Sequence, residues 1–235
     1  MAITIEIGGS SAQTVVKKSQ KFITSGNWTR PANIAGDTVY VTACAGGGSG
    51  GSSGSTDPGY WSYGGWGGGY VERQPINVLS VPSATVTIGA GGISAGNGNV
   101  GNAGGDTSFG SLLTVRGGSG GGRVKNATAP STDIQIAFAG SGIAPYMIYS
   151  DGTSNPIVSY MTQSSSVAGN KKGANSNISN GVFAGGGAEG RFGNGGDASS
   201  GSALANSGAG GGASHTGSTG SGGSGVLIIE WEEFV

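Results

Sequence analysis

The sequence predicts an all-β fold in which β-sandwich-like strands are combined with extended glycine helices, with essentially no α-helix. Three observations predict it. Glycine supplies 53 of 235 residues, short apolar stretches alternate with a period of two, and no stretch repeats apolar residues at helical spacing over three turns. Ordering glycine costs roughly 0.5–1 kcal/mol more than ordering alanine, so folding this composition carries a penalty on the order of tens of kcal/mol. Either the glycines stay disordered, or backbones pack so closely that no side chain fits between them. The apolar stretches favour close packing, because disordered chains lack them.

Along the chain, residues 1–20 stand apart. ITIEI (3–7) alternates, a GGSS turn follows, and TVVKK (14–18) begins a second extended piece. A segment that docks the chain to a larger assembly and an N-terminal strand of the main sheet both fit this pattern. KFITSGNWTRP (21–31) then leads through a turn with Asn33 and Gly36 into DTVYVTACA (37–45). There Val39 and Val41 face one side, and Tyr40 and Thr42 the other. TVTI (85–88) separates Val86 and Ile88 from Thr85 and Thr87 in the same way. SLLTV (111–115), DIQIAF (133–138) and GVLIIEW (225–231) complete the predicted strands. Six glycine-dense runs separate these stretches, at 45–54, 63–70, 88–98, 116–122, 184–196 and 207–223.

A net charge of -1, from 11 basic and 12 acidic residues, provides neither a basic stripe for nucleic acid nor a polybasic patch for membranes. Lys17, Lys18, Lys21 and Arg30 cluster near the start, and Glu230, Glu232 and Glu233 at the end. These are either complementary neighbours or two solvated groups. The single cysteine, Cys44, excludes an intramolecular disulfide and follows an alternating strand, where a small buried, inert thiol is expected. The opening MAITIEIGGS lacks the basic start and apolar core of a signal peptide, and no apolar run reaches spanning length, so synthesis in the cytoplasm and no membrane insertion are expected.

The residues give catalysis little to work with. The lone histidine, His215, lies in GASHTGS, where a polar exposed loop is expected. A metal would lack a second nitrogen or sulfur ligand at useful spacing. Asp57, Asp106, Asp133, Asp151, Glu189 and Asp197 are scattered, and strings matching G-x-G-x-x-G arise by chance in so much glycine. The expectation is a protein without enzymatic activity, cofactor or metal.

The order F-x-x-S-G-x-W-T-x-P, a short turn, an alternating V-x-V strand and then a long glycine run resembles the glycine-rich receptor-binding domain of bacteriophage tail fibres. The likeness continues through GGGYVERQPINVLSVPSATVTIGAGG (67–92), GGDTSFGSLLTVRGGSGGG (104–122) and GSGGSGVLIIEWEE (220–233). It lapses between about 123 and 183, which is set apart as an inserted variable region. The resemblance implies polyglycine II helices stacked in layers, with variable loops that touch the host surface. It divides the chain into a docking segment (1–20) and a glycine-rich receptor-binding domain (21–235). It also implies a place at the virion tail tip, with a host glycan or outer-membrane protein and a fibre shaft or baseplate protein as partners. A homotrimer and a monomeric cap on a trimeric shaft both satisfy the sequence. A virion decoration protein without a receptor role and a polysaccharide depolymerase are the competing classes.

A polyglycine II strand makes three residues per turn with no hydrogen bonds of its own, so its peptide groups must pair with close neighbours and a Cβ would force them apart. The scaffold positions expected to require glycine are Gly46, Gly47, Gly48, Gly67, Gly68, Gly69, Gly120, Gly121, Gly122, Gly185, Gly186, Gly187, Gly210, Gly211 and Gly212. AGGGSGG (45–51) and GGSGGG (117–122) suit the interior of such a stack; 94–105 and 215–223 suit its outside.

Two loops are candidates for recognition, since tyrosine and tryptophan combine contact area, a polar handle and low rotamer entropy. The first, GSTDPGYWSYGGWGGGY (54–70), offers Asp57, Tyr60, Trp61 and Tyr63, with Trp66 and Tyr70 expected as lids over the glycine stack. The second, APYMIYSDGTSNPIVSYMTQ (144–163), offers Tyr146, Tyr149, Asp151 and Tyr160, as a tyrosine-rich hairpin or as a subunit contact. Trp28 and Trp231 are expected in the core.

Overall fold

The computed structural model describes residues 13–55, 61–124, 147–149, 176–178, 182–184, 191–197 and 201–235. The described residues contain strands and no helix, as the sequence predicts. The strands in chain order are β1 (Val15–Phe22), β2 (Gly26–Thr29), β3 (Thr38–Cys44), β4 (Trp61–Ser62), β5 (Tyr70–Asn77), β6 (Ser83–Thr87), β7 (Thr107–Phe109), β8 (Leu113–Val115), β9 (Arg123–Val124), β10 (Met147–Tyr149), β11 (Ser176–Ile178), β12 (Val182–Ala184) and β13 (Val226–Phe234). The stretches at 3–7 and 133–138 lie outside the described residues.

Two antiparallel sheets, ordered β1-β13-β3-β5 and β10-β8-β7-β6-β2, form the sandwich. The period-two patterns bury their apolar faces as expected. Val39 and Val41 of β3 are fully buried and Tyr40 is exposed; on β6, Ala84 and Val86 are buried between exposed neighbours. Residues of both sheets join in one apolar cluster, with Trp28 edge-on to Phe109 at 5.4 Å between ring centroids. Trp231 is only half-buried at the rim of this cluster, so its predicted core position holds in part. Its indole nitrogen donates to Glu233 Oε1 at 2.8 Å.

β1 runs antiparallel to β13 at the sheet edge, with Lys17 opposite Glu232. The basic start and acidic end of the chain are therefore neighbours, and the boundary drawn after residue 20 falls inside β1. Val15 pairs with Phe234 at the end of the sheet where the described chain begins and finishes.

At the opposite end the strands run directly into glycine segments. β3 continues as 45–53, β6 as 89–96 and β8 as 116–122, while 63–69, 99–105 and 219–225 lead into β5, β7 and β13. Hydrogen bonds among these segments repeat every three residues. Ala45, Gly48 and Gly51 donate to Gly69, Trp66 and Tyr63; Gly46, Ser49 and Ser52 donate to Gly105, Asn102 and Asn99; Gly47 and Gly50 donate to Gly223 and Gly220. The carbonyls of the same segment accept from the other side: Gly46 and Ser49 from Gly118 and Gly121, Gly48 and Gly51 from Gly211 and Ser214, and Gly47 from Gly92.

Segment 45–53 thus has six neighbours among the described residues, and these close into a ring around it. Segment 63–69 bonds to 116–122, which bonds to 99–105, then 89–96, then 219–225, then 208–214, which bonds back to 63–69. The central position of 45–51 matches its near-pure glycine composition, and its residues are buried throughout. The stretch 117–122, equally glycine-pure and expected inside, stands in the ring instead, with only Gly118 and Gly121 buried and the rest half-buried. Its glycine content reflects two crowded flanks rather than full enclosure.

Candidate functional site: the loops at the far end of the glycine segments

At the end remote from β1 and the end of β13, four connections meet. They join 45–53 to 63–69, 89–96 to 99–105, 116–122 to the inserted region, and 208–214 to 219–225. Serines at the end of the central segment tie the first, second and fourth of these together. Ser52 Oγ accepts from the Gly98 N–H at 3.2 Å and lies 3.4 Å from Asn97 Oδ1. The Ser53 N–H donates to Ser62 Oγ at 2.8 Å. The Gly217 N–H reaches Asn97 Oδ1 at 3.1 Å.

The His215 carbonyl is the common acceptor of this cluster. It takes the Gly54 N–H at 2.8 Å and lies 3.2 Å from Ser53 Oγ. Contrary to the exposed loop expected from GASHTGS, the residue is 6% exposed, and among the described residues neither Nδ1 nor Nε2 has a hydrogen-bond partner. The main chain here is drawn inward by bonds to the central segment, with the Ser214 N–H donating to the Gly51 carbonyl, while Thr216, Gly217 and Ser218 beyond it are exposed. Burial holds the imidazole pKa below its ordinary value.

Trp61 lies on β4, which pairs in parallel with β12 and antiparallel with β9; Trp61 stands opposite Phe183 on one side and Val124 on the other. The first candidate loop and both flanks of the inserted region therefore share one small sheet, ordered β11-β12-β4-β9. Tyr63 is half-buried at the start of segment 63–69, where its N–H donates to Gly122 and its carbonyl accepts from Gly51. Burial raises its phenol pKa. Trp66 and Tyr70 are half-buried along the same segment, with the Arg191 guanidinium 5.7 Å from the Tyr70 ring centroid.

Tyr149 is not part of this end. It lies on β10 opposite Leu113 of β8, beside the β7–β8 turn at the sandwich end. Asp57, Tyr60, Tyr146, Asp151 and Tyr160 lie outside the described residues.

Among the scaffold positions, a Cβ on Gly46, Gly47, Gly48, Gly68, Gly120, Gly121, Gly211 or Gly212 would come closer than 3.0 Å to the backbone of a neighbouring segment. Gly69, Gly122 and Gly210 contribute carbonyls that accept from Ala45, Tyr63 and Gly196, and Gly67 packs against Gly118. Gly185, Gly186 and Gly187 lie outside the described residues. Gly101, Gly104 and Gly222, outside the positions expected from sequence to require glycine, are equally crowded. Their signal is the spacing G-x-x-G: at three residues per turn, one face of a mixed segment such as 99–105 meets the centre, and Asn99, Val100 and Ala103 occupy the other two. Among the described residues no cluster of three His, Cys, Asp or Glu side chains could hold a metal.

The sequence profile of a family described as a glycine-rich domain matches residues 20–232. No curated protein matches the chain.

Proposed function

The chain belongs to this glycine-rich domain family, and from that premise we propose that it is a bacteriophage tail-fibre or baseplate adhesin that binds a host surface glycan or outer-membrane protein without enzymatic activity. The glycine segments act as polyglycine II helices. The three-residue recurrence of their hydrogen bonds and the absence of room for a Cβ support that assignment.

One observation carries the proposal. β1 and β13 pair in the sandwich, while four connections gather at the opposite end of a bundle whose segments, at about 3.1 Å per residue, reach roughly 25 Å. A stiff bundle of this kind holds loops apart from the body and tolerates change in them, because its cohesion depends on main-chain bonds rather than on loop side chains. Attachment of one end to a virion leaves the other free for the host. Modest affinity per copy suffices when several copies act together.

Purified protein should label susceptible cells, and the double variant Tyr60→Ala/Trp61→Ala should lose labelling while keeping the wild-type melting temperature. Undiminished labelling by that variant, or no labelling by wild type, would refute the assignment. Release of reducing ends from host polysaccharide would transfer it to the depolymerase class.

A further inference from the structure

Five arginines occur in the chain, and four of them are paired with carboxylates. Arg30 meets Asp37 at 3.0 Å, Arg116 meets Asp106 at 3.1 Å and Arg191 meets Glu72 at 3.0 Å. Arg73 stands where the register of β5 shifts against β3, with φ +48°, and its guanidinium lies 4.8 Å from the Tyr40 ring centroid and 2.7 Å from Glu230 Oε2. Arg123 is the exception. It is half-buried and has no ion pair among the described residues.

The glycine bundle sets its position. Segment 116–122 ends with the Gly122 carbonyl accepting from Tyr63, and β9 follows at the far end with Arg123 opposite Ser62. From there the guanidinium reaches the turn between 89–96 and 99–105, where Nη1 comes within 3.7 Å of the place a Cβ on Gly98 would occupy. The left-handed backbone of Gly98, at φ +70°, favours glycine there, so the cation lies against a residue without a side chain.

The acceptors around it are already engaged. Ser52 Oγ accepts from the Gly98 N–H and Ser62 Oγ from the Ser53 N–H. Asn97 Oδ1 accepts from the Gly217 N–H at 3.1 Å, which leaves the two Nδ2 protons of this exposed residue to solvent or a ligand. Carboxylates are remote. Those paired with the other arginines lie at the sandwich or its junction with the bundle, and Glu232 and Glu233 lie on β13. Asp197 packs beside Gly201 and Gly212, on the side of the ring away from 116–122. Among the described residues the far end therefore carries one cation, no carboxylate and a surplus of donors. A guanidinium matches the oxygens of a phosphate or carboxylate two at a time, and partial burial protects such a contact from screening by salt.

We propose that Arg123, with the Asn97 amide beside it, binds the phosphate or carboxylate of an acidic saccharide. That the saccharide belongs to a host surface rests on the adhesin reading; the anion site does not.

The full chain is titrated with glucose phosphate, glucuronate, inorganic phosphate or glucose and followed by NMR. Both acidic sugars should give saturable shifts of the Gly98 amide at millimolar concentration, with glucose weaker by about tenfold or more, as expected for loss of hydrogen bonds to a charged group. Arg123→Gln should weaken both by at least about tenfold and keep the wild-type melting temperature, because no ion pair is lost. Arg123→Lys, which keeps the charge without the planar fork, should fall between the two. Asn97→Asp retains the acceptor for the Gly217 N–H and places negative charge beside Arg123, so it should lose binding as well. Absence of saturable shifts in the wild type, equal binding of glucose, or unchanged binding by Arg123→Gln would overturn the proposal. Inorganic phosphate binding as tightly as glucose phosphate would overturn the saccharide assignment in favour of a free anion. No cells enter this titration, so its failure would leave the adhesin reading intact, and cells unlabelled by wild type would refute that reading while leaving the site.

Discussion

Ser49 and Asn102 hold each other by two reciprocal bonds: the Ser49 N–H donates to the Asn102 carbonyl at 2.9 Å, and the Asn102 N–H donates to Ser49 Oγ at 2.8 Å. Ser49 is fully buried in the central glycine segment. Its hydroxyl supplies an acceptor where a plain glycine segment has none, so a side chain here adds to the main-chain lattice rather than disrupting it.

Replacing Ser49 by alanine keeps the Cβ and removes that acceptor. The expected loss is about 1–2 kcal/mol, the cost of stranding one partly buried N–H, seen as a lower midpoint in chemical denaturation. An unchanged midpoint would mean that the Asn102 N–H finds water.

Gly48 is sensitive for the opposite reason. An alanine Cβ there would collide with the main chain at Ser119 and Gly120, where the Ser119 carbonyl already accepts from Trp66 and backbone atoms cannot swing aside as a side chain would. Gly48→Ala should lose at least about 3 kcal/mol or fail to give folded protein. Gly96→Ala is the control, since its Cβ would meet only the tip of Asn99 at 3.3 Å; a change within about 1 kcal/mol is expected. Thermal melts of the two variants compare these outcomes, and equal melting would contradict the packing account.

Burial of His215 should make the protein acid-sensitive. Burial lowers its pKa in the folded state below the ordinary 6.5 of the unfolded chain, so the unfolded state binds more protons as pH falls below that value. The stability linked to this residue is complete above pH 6.5 and declines below it toward the folded-state pKa. Wild type should therefore lose more melting temperature between pH 8 and pH 5 than His215→Gln, which carries no ionisable group. Parallel pH profiles for the two proteins would exclude the mechanism.

Cys44 should be chemically silent in the native protein. The thiol is fully buried where β3 enters segment 45–53, and burial pushes its pKa up to about 12. Iodoacetamide at pH 8 should label it only as the fold opens, so the labelling rate should track added denaturant. Rapid labelling without denaturant would show this junction to be open.

The strands were legible from sequence because period-two alternation is a local property. Val39 and Val41 against Tyr40, and Val86 against Thr85 and Thr87, announce their buried faces within a few residues. The identity of 45–51 as an interior segment was legible for a similar reason, since only glycine permits approach on every side. Tyr149 and Trp61 are both aromatic residues in turn-rich stretches, and their local sequence does not say that β10 sets one opposite Leu113 at the sandwich end while β4 sets the other among the far loops. Strand partnership over such separations leaves no mark in local sequence. Arg73 gave no signal at all, because its backbone angle arises from a register shift against β3.

By itself, then, the sequence determined the strand class, the apolar faces and the need for backbones to touch, all of which follow from side-chain size and spacing along the chain. Only the tertiary structure decided that six segments ring a seventh, that His215 turns inward, and that Arg73, Tyr40 and Glu230 meet on one face. Those outcomes depend on which main-chain donors find which acceptors across the fold, and glycine, lacking a side chain, encodes permission for such contacts without naming the partner.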